Sequence, residues 1–200
     1  GQVLAIAGQF SEAIATANDI VEDAERTNLI TVILKNKARL TGETTELEDH
    51  LTTEWERTSD KTLLLELCDL RAYLDKWDFI ADKGTTLLDS IDTTYTVKLV
   101  LMSLYKTRKY YEFLDLARQV EHIWPENMPP ADIRWLKTQV LAAIGQIPEA
   151  INAAEQLARD NPTEANLLHV LDLNCQMGDT QRVLYWARRI ADFDQPDPSL

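Results

Sequence analysis

The sequence predicts an all-α fold built from stacked pairs of helices, and three observations carry that prediction. Apolar residues recur at i, i+3 and i+4 in successive stretches, the spacing that lines one face of a helix. Turn-forming residues return at a nearly constant interval along the whole chain. The 6 Gly and 7 Pro among 200 residues are few, whereas an all-β fold needs many turns. A hydrophobic content of 45% is enough to bury a core.

The interval is measured at the residue that follows each leading helical run. Gly8, Gly42, Asp75, Arg108, Gly145 and Gly178 are separated by 34, 33, 33, 37 and 33 residues. A fixed period in this range marks one supersecondary unit whose copies stack on each other. Units are expected at about 1–26 (partial), 27–60, 61–92, 93–127, 128–163 and 164–194, forming one solenoid over 1–194. The end of "DQPDPSL", residues 195–200, reads as a flexible tail. The insertion "PENMPP" at 125–130 lengthens one interval and predicts a wider turn between units.

Each unit is expected to hold two helices. The leading runs are "NLITVILKNKARL", "KTLLLELCDLRAYL", "YTVKLVLMSLY", "IRWLKTQVLAAI" and "EANLLHVLDLNCQM". The following runs are "SEAIATANDIVEDA", "ELEDHLTTEWERT", "DFIADKGTTLLDSI", "EFLDLARQVEHIW", "PEAINAAEQLARD" and "TQRVLYWARRIADF". Between them the chain needs a left-handed residue, which Gly supplies at least cost and Asp tolerates better than Arg. Two residues later comes an apolar or aromatic anchor: Phe10, Trp77, Tyr110 or Ile147. Pro148 suits a first helical turn, and Pro125 and Pro162 stop the second helices. Ala13, Ala17, Ala117, Ala150, Ala154 and Ala187 are expected on apolar faces, where small side chains let helices approach. The leading helix of the first unit is largely missing. Ala7, Phe10, Ile14 and Ala17 are therefore expected to expose an apolar face, which more repeats, another domain or a second copy would cover.

The pattern resembles the tetratricopeptide repeat, most closely at residues 131–164, with Trp135, Gly145, Ala150 and Pro162 in the 34-residue frame. The resemblance implies an all-α, right-handed α-solenoid of helix–turn–helix repeats. The middle units depart from it by placing Leu47, Ile80 and Phe113 where the family has a small residue. It also implies a groove lined by the first helices, which binds a protein or peptide segment. Carried over unit by unit, the groove positions are Asn36, Arg39, Leu65, Asp69, Tyr73, Lys98, Met102, Tyr105, Lys106, Trp135, Gln139, Leu168 and Asp172. Chaperone-binding members hold a C-terminal carboxylate with a basic clamp over consecutive units. Here Asp69 falls between Arg39 and Lys98, so that ligand is not expected.

The net charge of −13 argues against a nucleic-acid partner and against an anionic membrane surface. Solubility is a sufficient reason for it. The charge is uneven: residues 41–94 carry 14 acidic against 5 basic side chains, and residues 95–125 carry 3 against 5. Lys106, Arg108 and Lys109 form the one local basic run considered for nucleic acid, against the overall charge. No run of apolar residues is long enough to span a membrane. Cys68 and Cys175 read as two buried thiols in a reducing compartment. With no basic, apolar export signal, this points to the cytoplasm.

No catalytic set is legible. His50, His122 and His169 belong to no His-Glu-x-x-His pair and lie at no zinc-ligand spacing, so each reads as a surface or inter-helix residue. Gly42 lacks the rest of a phosphate loop, and the carboxylate clusters lack the spacing of a calcium loop. No metal and no cofactor are expected. Most of the five Trp residues read as packing between units, Trp135 being the exception. The expected function is a non-catalytic interaction scaffold. The alternative is a regulatory or substrate-recruiting arm of a larger enzyme.

Overall fold

The computed structural model describes residues 8–89, 93–125 and 128–193. The chain divides into two compact units, 1–92 and 93–200. The first unit contains α1 (Phe10–Asn18), α2 (Asp23–Thr41), α3 (Thr45–Thr58), α4 (Lys61–Tyr73) and α5 (Trp77–Leu88). The second contains α6 (Thr94–Lys106), α7 (Tyr110–Gln119), a 3₁₀ turn at Glu121–Ile123, α8 (Ala131–Ala143), α9 (Ile147–Asp160), α10 (Glu164–Met177) and α11 (Thr180–Phe193). There is no strand among the described residues.

All six turn residues chosen from the sequence have positive φ: Gly8 at 81°, Gly42 at 77°, Asp75 at 58°, Arg108 at 60°, Gly145 at 83° and Gly178 at 71°. After α4, α6, α8 and α10 the same pair of backbone bonds closes the helix. At Gly145 its N–H donates to the Ala142 carbonyl at 3.0 Å and that of Gln146 to Leu141 at 2.9 Å. Asp75 and Lys76, Arg108 and Lys109, and Gly178 and Asp179 repeat the pattern. This is the Schellman closure, which satisfies carbonyls that the helix end would leave open. Gly42 and Ser59 close α2 and α3 with a single bond, to Ala38 and Trp55. Ser59, at φ 55°, is a left-handed residue with no counterpart in the sequence reading.

The partner helix starts two residues past the turn. Phe10, Trp77, Tyr110 and Ile147 are each the first residue of their helix and are partly buried. Pro148 occupies the first turn of α9 as expected. Three of the leading helices, α4, α6 and α10, start on side-chain caps. Asp60 accepts from the Thr62 and Leu63 amides, Thr93 from Thr96, and Thr163 from Asn166. Each cap satisfies a free N–H of the first helical turn.

Neighbouring helices bury local cores. In the first unit Leu34, Leu47, Leu51, Leu63 and Leu67 pack together, with Trp55 and Phe79 on the edge. In the second, Ala150, Ala154, Leu167, Val170, Leu173 and Trp186 belong to one cluster. Ala150 and Ala154 are fully covered, as close packing requires. Leu47, Ile80 and Phe113, which stand in place of the small residue, are buried as well.

Four expectations fail at particular residues. The run "SEAIATANDIVEDA" is not one helix: α1 ends at Asn18, and α2 begins at Asp23, ahead of the expected border at 27. Asp23 and Glu25 lie in the first turn of α2, where negative charge favours a helix N-terminus. The apolar face expected to be exposed near the start is largely covered. Ala17 is 0% exposed, and Phe10 and Ile14 pack with it against Ile33 of α2; Ala7 lies outside the described residues. Ala187 is exposed, because the buried edge of α11 is occupied by Trp186, and Ala117 is half-buried. Cys68 is buried but Cys175 is exposed. The expected tail at 195–200 also lies outside the described residues.

Candidate binding surface

In the first unit the leading helices α2 and α4 are tied by Lys35 and Glu66, Nζ to Oε1 at 2.8 Å. A cleft of about 610 Å³ lies beside this pair, lined by Asn28, Val32 and Lys35 of α2 and by Thr62, Leu63 and Glu66 at the start of α4. The five positions carried over here do not line it. Asn36, Leu65 and Asp69 are partly buried, Arg39 is exposed, and Tyr73 is 82% exposed. Asn36, Arg39, Asp69 and Tyr73 lie further along the same helices, and Leu65 falls between Leu63 and Glu66 without lining the cleft. Val32, 42% exposed, is one turn before Asn36 and was passed over. Stepping back four residues from Asn36 on the helical face would have found it.

Behind this face, Thr31 donates its hydroxyl to the Thr27 carbonyl at 2.8 Å and lies 3.0 Å from Nε2 of His50. With the hydroxyl hydrogen committed, Nε2–H of His50 is the donor. Burial holds the His50 imidazole below its ordinary value, against the neighbouring Glu54 carboxylate. The Glu54 carboxyl is itself held low by Arg57, and Thr27 adds a second hydrogen bond. For Glu48, burial alone would raise the carboxyl. Lys76 at 2.6 Å and Arg71 at 3.1 Å outweigh it and hold the group low.

In the second unit the leading helices are α6, α8 and α10. Lys98 of α6 pairs with Asp132 of α8, Nζ to Oδ2 at 2.8 Å. Asp132, Trp135 and Gln139 share one face of α8 by their three- and four-residue spacing. Trp135 packs on His169 of α10, with ring centroids 6.0 Å apart. His169 is the hub of this contact. Its Nε2 lies 2.8 Å from the Thr138 hydroxyl, which itself donates to the Trp135 carbonyl at 2.7 Å. Nε2–H is therefore the donor to Thr138, and the Gln139 amide nitrogen lies 3.2 Å from Nδ1 and 3.1 Å from Nε2, where only the unprotonated Nδ1 can accept from it. The network suits a neutral ring, and burial pushes His169 below its ordinary value.

The structure thus brings Trp135 and Gln139 together through His169, which reads in the sequence as a surface or inter-helix residue. Met102 is partly buried on α6. Tyr105 packs at 6.4 Å on Tyr110, and Lys106 is exposed. Leu168 is 45% exposed on α10, and Asp172 accepts from Gln176 one turn on. What the face offers chemically is a half-buried aromatic, an amide and a matched pair of charges. Among the described residues no group of three His, Cys, Asp or Glu side chains could hold a metal ion. No helix among them is long and apolar enough to cross a membrane.

No protein-family model matches the chain, and no curated protein matches it. Solved structures do. YrrB, a TPR protein with an unusual peptide-binding site, is 16% identical with a TM-score of 0.67, over 95% of this chain and 94% of that one. A crystal structure of MamA is 12% identical with a TM-score of 0.70, over 86% and 97%. The segment of MamA from residue 41 to its end, from Desulfovibrio magneticus RS-1, is 15% identical with a TM-score of 0.68, over 86% and 96%. Likeness at such low identity is one of backbone: helices of this length, paired by a left-handed turn residue and repeated every 33–37 residues. The chain has the all-helical α-solenoid fold of tetratricopeptide-repeat proteins, in a degenerate form.

Proposed function

We propose that the chain is a non-catalytic scaffold that binds a protein or peptide segment on the face of its leading helices. The observation that carries this reading is Trp135, a partly exposed indole held against His169 by the Thr138–His169–Gln139 network. An aromatic fixed before binding loses little freedom when a ligand covers it, which is the usual character of an interface anchor. Lys98 and Asp132 flank it with both charge signs, and Tyr105 and Met102 add apolar area. Asn36, Arg39, Leu65, Asp69 and Tyr73 are the corresponding positions of the first unit, and Leu168 and Asp172 complete the second. YrrB, a protein of the same fold, has a peptide-binding site. No catalysis is assigned to the segment.

Both cysteines are free, which supports a reducing compartment and hence the cytoplasm. Self-association through the N-terminal end is not part of the proposal, since Phe10, Ile14 and Ala17 already pack against α2. The test is selection of peptides from a displayed random library on the wild-type chain. Trp135→Ala and Tyr105→Ala should each weaken the selected peptides about tenfold or more. Unchanged affinity for both variants would remove this face from the reading.

A further inference from the structure

A second surface lies on the other side of α8. A cleft of about 390 Å³ is bounded by α7, the 3₁₀ turn, α8 and α9. Its apolar wall includes Leu114, Trp124, Met128, Ile133 and Leu141. At about 100° per residue, Arg134, Lys137 and Leu141 point nearly opposite to Trp135 and Gln139. The cleft and the leading-helix face are therefore separate sites.

Two features define what fits. Trp124 is 3% exposed, yet its indole Nε1 has no hydrogen-bond partner among the described residues. A buried donor left without an acceptor is costly and uncommon; Nε1 itself is closed to solvent, so a ligand oxygen satisfies it only as the lining opens around the ligand. The rim is cationic, with Arg118, Arg134 and Lys137 against Glu121. That is unusual on a chain of net charge −13. Arg134 is engaged by Asp160 at 2.6 Å, and Arg118 is within 3.7 Å of Asp115. Lys137 is exposed and has no ion pair among the described residues. The positive groups come from both α7 and α8, so one small anion cannot meet them all. Carboxylates spaced along a chain can.

We propose that this cleft docks a short acidic peptide segment carrying an apolar side chain. The apolar side chain enters between Leu114, Ile133 and Leu141. An oxygen of the segment accepts from Trp124 Nε1, and its carboxylates meet Lys137 and Arg118. The proposal is independent of the leading-helix face.

The probe is a labelled, end-blocked peptide of alternating leucine and glutamate, titrated against the full chain by fluorescence anisotropy at low salt. Leucine–lysine and serine–glutamate peptides serve as controls. The leucine–glutamate peptide should bind, and both controls should bind at least about tenfold more weakly. Lys137→Glu should weaken binding about tenfold with an unchanged circular dichroism spectrum. Trp124→Phe keeps the ring and removes the N–H, and should weaken it about threefold or more. Trp135→Ala should leave it unaltered. In the amide–indole NMR spectrum, the cross-peak missing from Trp124→Phe should shift when the peptide is added to wild type. Binding that is indifferent to Lys137→Glu, or equal for the leucine–lysine peptide, overturns the proposal. So does equal binding of the serine–glutamate peptide, which would mean charge alone. Sensitivity to Trp135→Ala but not to Lys137→Glu would place the peptide on the leading-helix face and refute this cleft. Self-association abolished by Lys137→Glu, with no peptide uptake, would make the occupant a second copy and also refute it.

Discussion

Trp186 donates its indole N–H to Oε1 of Glu155 across 3.3 Å, joining α11 to α9. Trp186 is 1% exposed and Glu155 9%. The carboxylate also meets Arg159 at 3.1 Å and Arg182 at 3.4 Å, two side chains that are 62% and 49% exposed. Water can receive both arginines if the carboxylate is removed. It cannot reach the indole. Glu155→Leu should therefore destabilise the chain by about 1–3 kcal/mol, most of it from the stranded donor. Urea denaturation of Glu155→Leu, Trp186→Phe and the double variant checks this. The double variant should lose clearly less than the sum of the two, since no donor is left stranded. Strict additivity would show that the hydrogen bond is not the cause.

Arg108 carries a φ of 60° at a turn where four of the other units use glycine. A side chain in that conformation costs on the order of 1 kcal/mol, and the turn's hydrogen bonds come from backbone alone. Arg108→Gly should raise stability by about 0.5–1 kcal/mol. Gly145→Ala should do the reverse by about 1 kcal/mol. A Cβ at Gly145 would meet nothing within 4 Å, so any loss there isolates the backbone effect. Melting temperatures moving in the same direction for the two variants would contradict the assignment.

The two thiols should react very differently. Burial, with the adjacent Asp69 carboxylate, pushes Cys68 up to about 12, so almost no thiolate exists near neutrality. Cys175 is exposed. A chromogenic disulfide reagent should label one thiol quickly in the native chain and the second only in denaturant. Cys175→Ser should abolish the fast phase. A fast phase surviving in that variant would mean that Cys68 opens readily to solvent.

Stability should fall as the solution is acidified through the histidine range. Burial lowers both His50 and His169 from the ordinary value of 6.5. Between the lowered native value and 6.5, the unfolded chain binds more protons than the folded one. The contribution is thus complete above about pH 6.5 and is lost as pH drops towards the native values. In His169 the loss has a geometric cause, because a second ring proton would face the Gln139 amide donor. Denaturation midpoints at about pH 7.5 and 5.5 should differ, and less so in His50→Gln with His169→Gln. Glu48 and Glu54, held below 4.5, act lower still, where their contribution is lost as they protonate. An unchanged difference in the double variant would assign the effect to other groups.

The candidate surface was only partly legible in the sequence. Trp135 and Gln139 are groove positions implied by the family resemblance, and a four-residue step keeps them on one face of α8. His169, which fixes them, reads only as a surface or inter-helix residue, since its partners Thr138 and Gln139 lie 31 and 30 residues away. Val32 and Glu66 of the first-unit cleft were missed for a simpler reason. The groove positions that the family resemblance implies include Asn36 and Arg39 but not the preceding turn of the helix. At the start of the chain, Ile20 and Val21 extended an apolar pattern that the chain breaks. Val21 is 97% exposed in the link to α2.

Helix positions and the residues that end them could be read without coordinates, because both depend on neighbours in the chain. The recurring apolar face needs only i, i+3 and i+4, and a left-handed turn residue needs only its own φ. Cross-helix chemistry could not be read in that way. Whether Glu155 meets Trp186, whether Thr138 meets His169, and whether Trp124 is buried without an acceptor depend on the rotation and height of one helix against the next. That register comes from the fit of whole side-chain surfaces, and no spacing along a single helix encodes it.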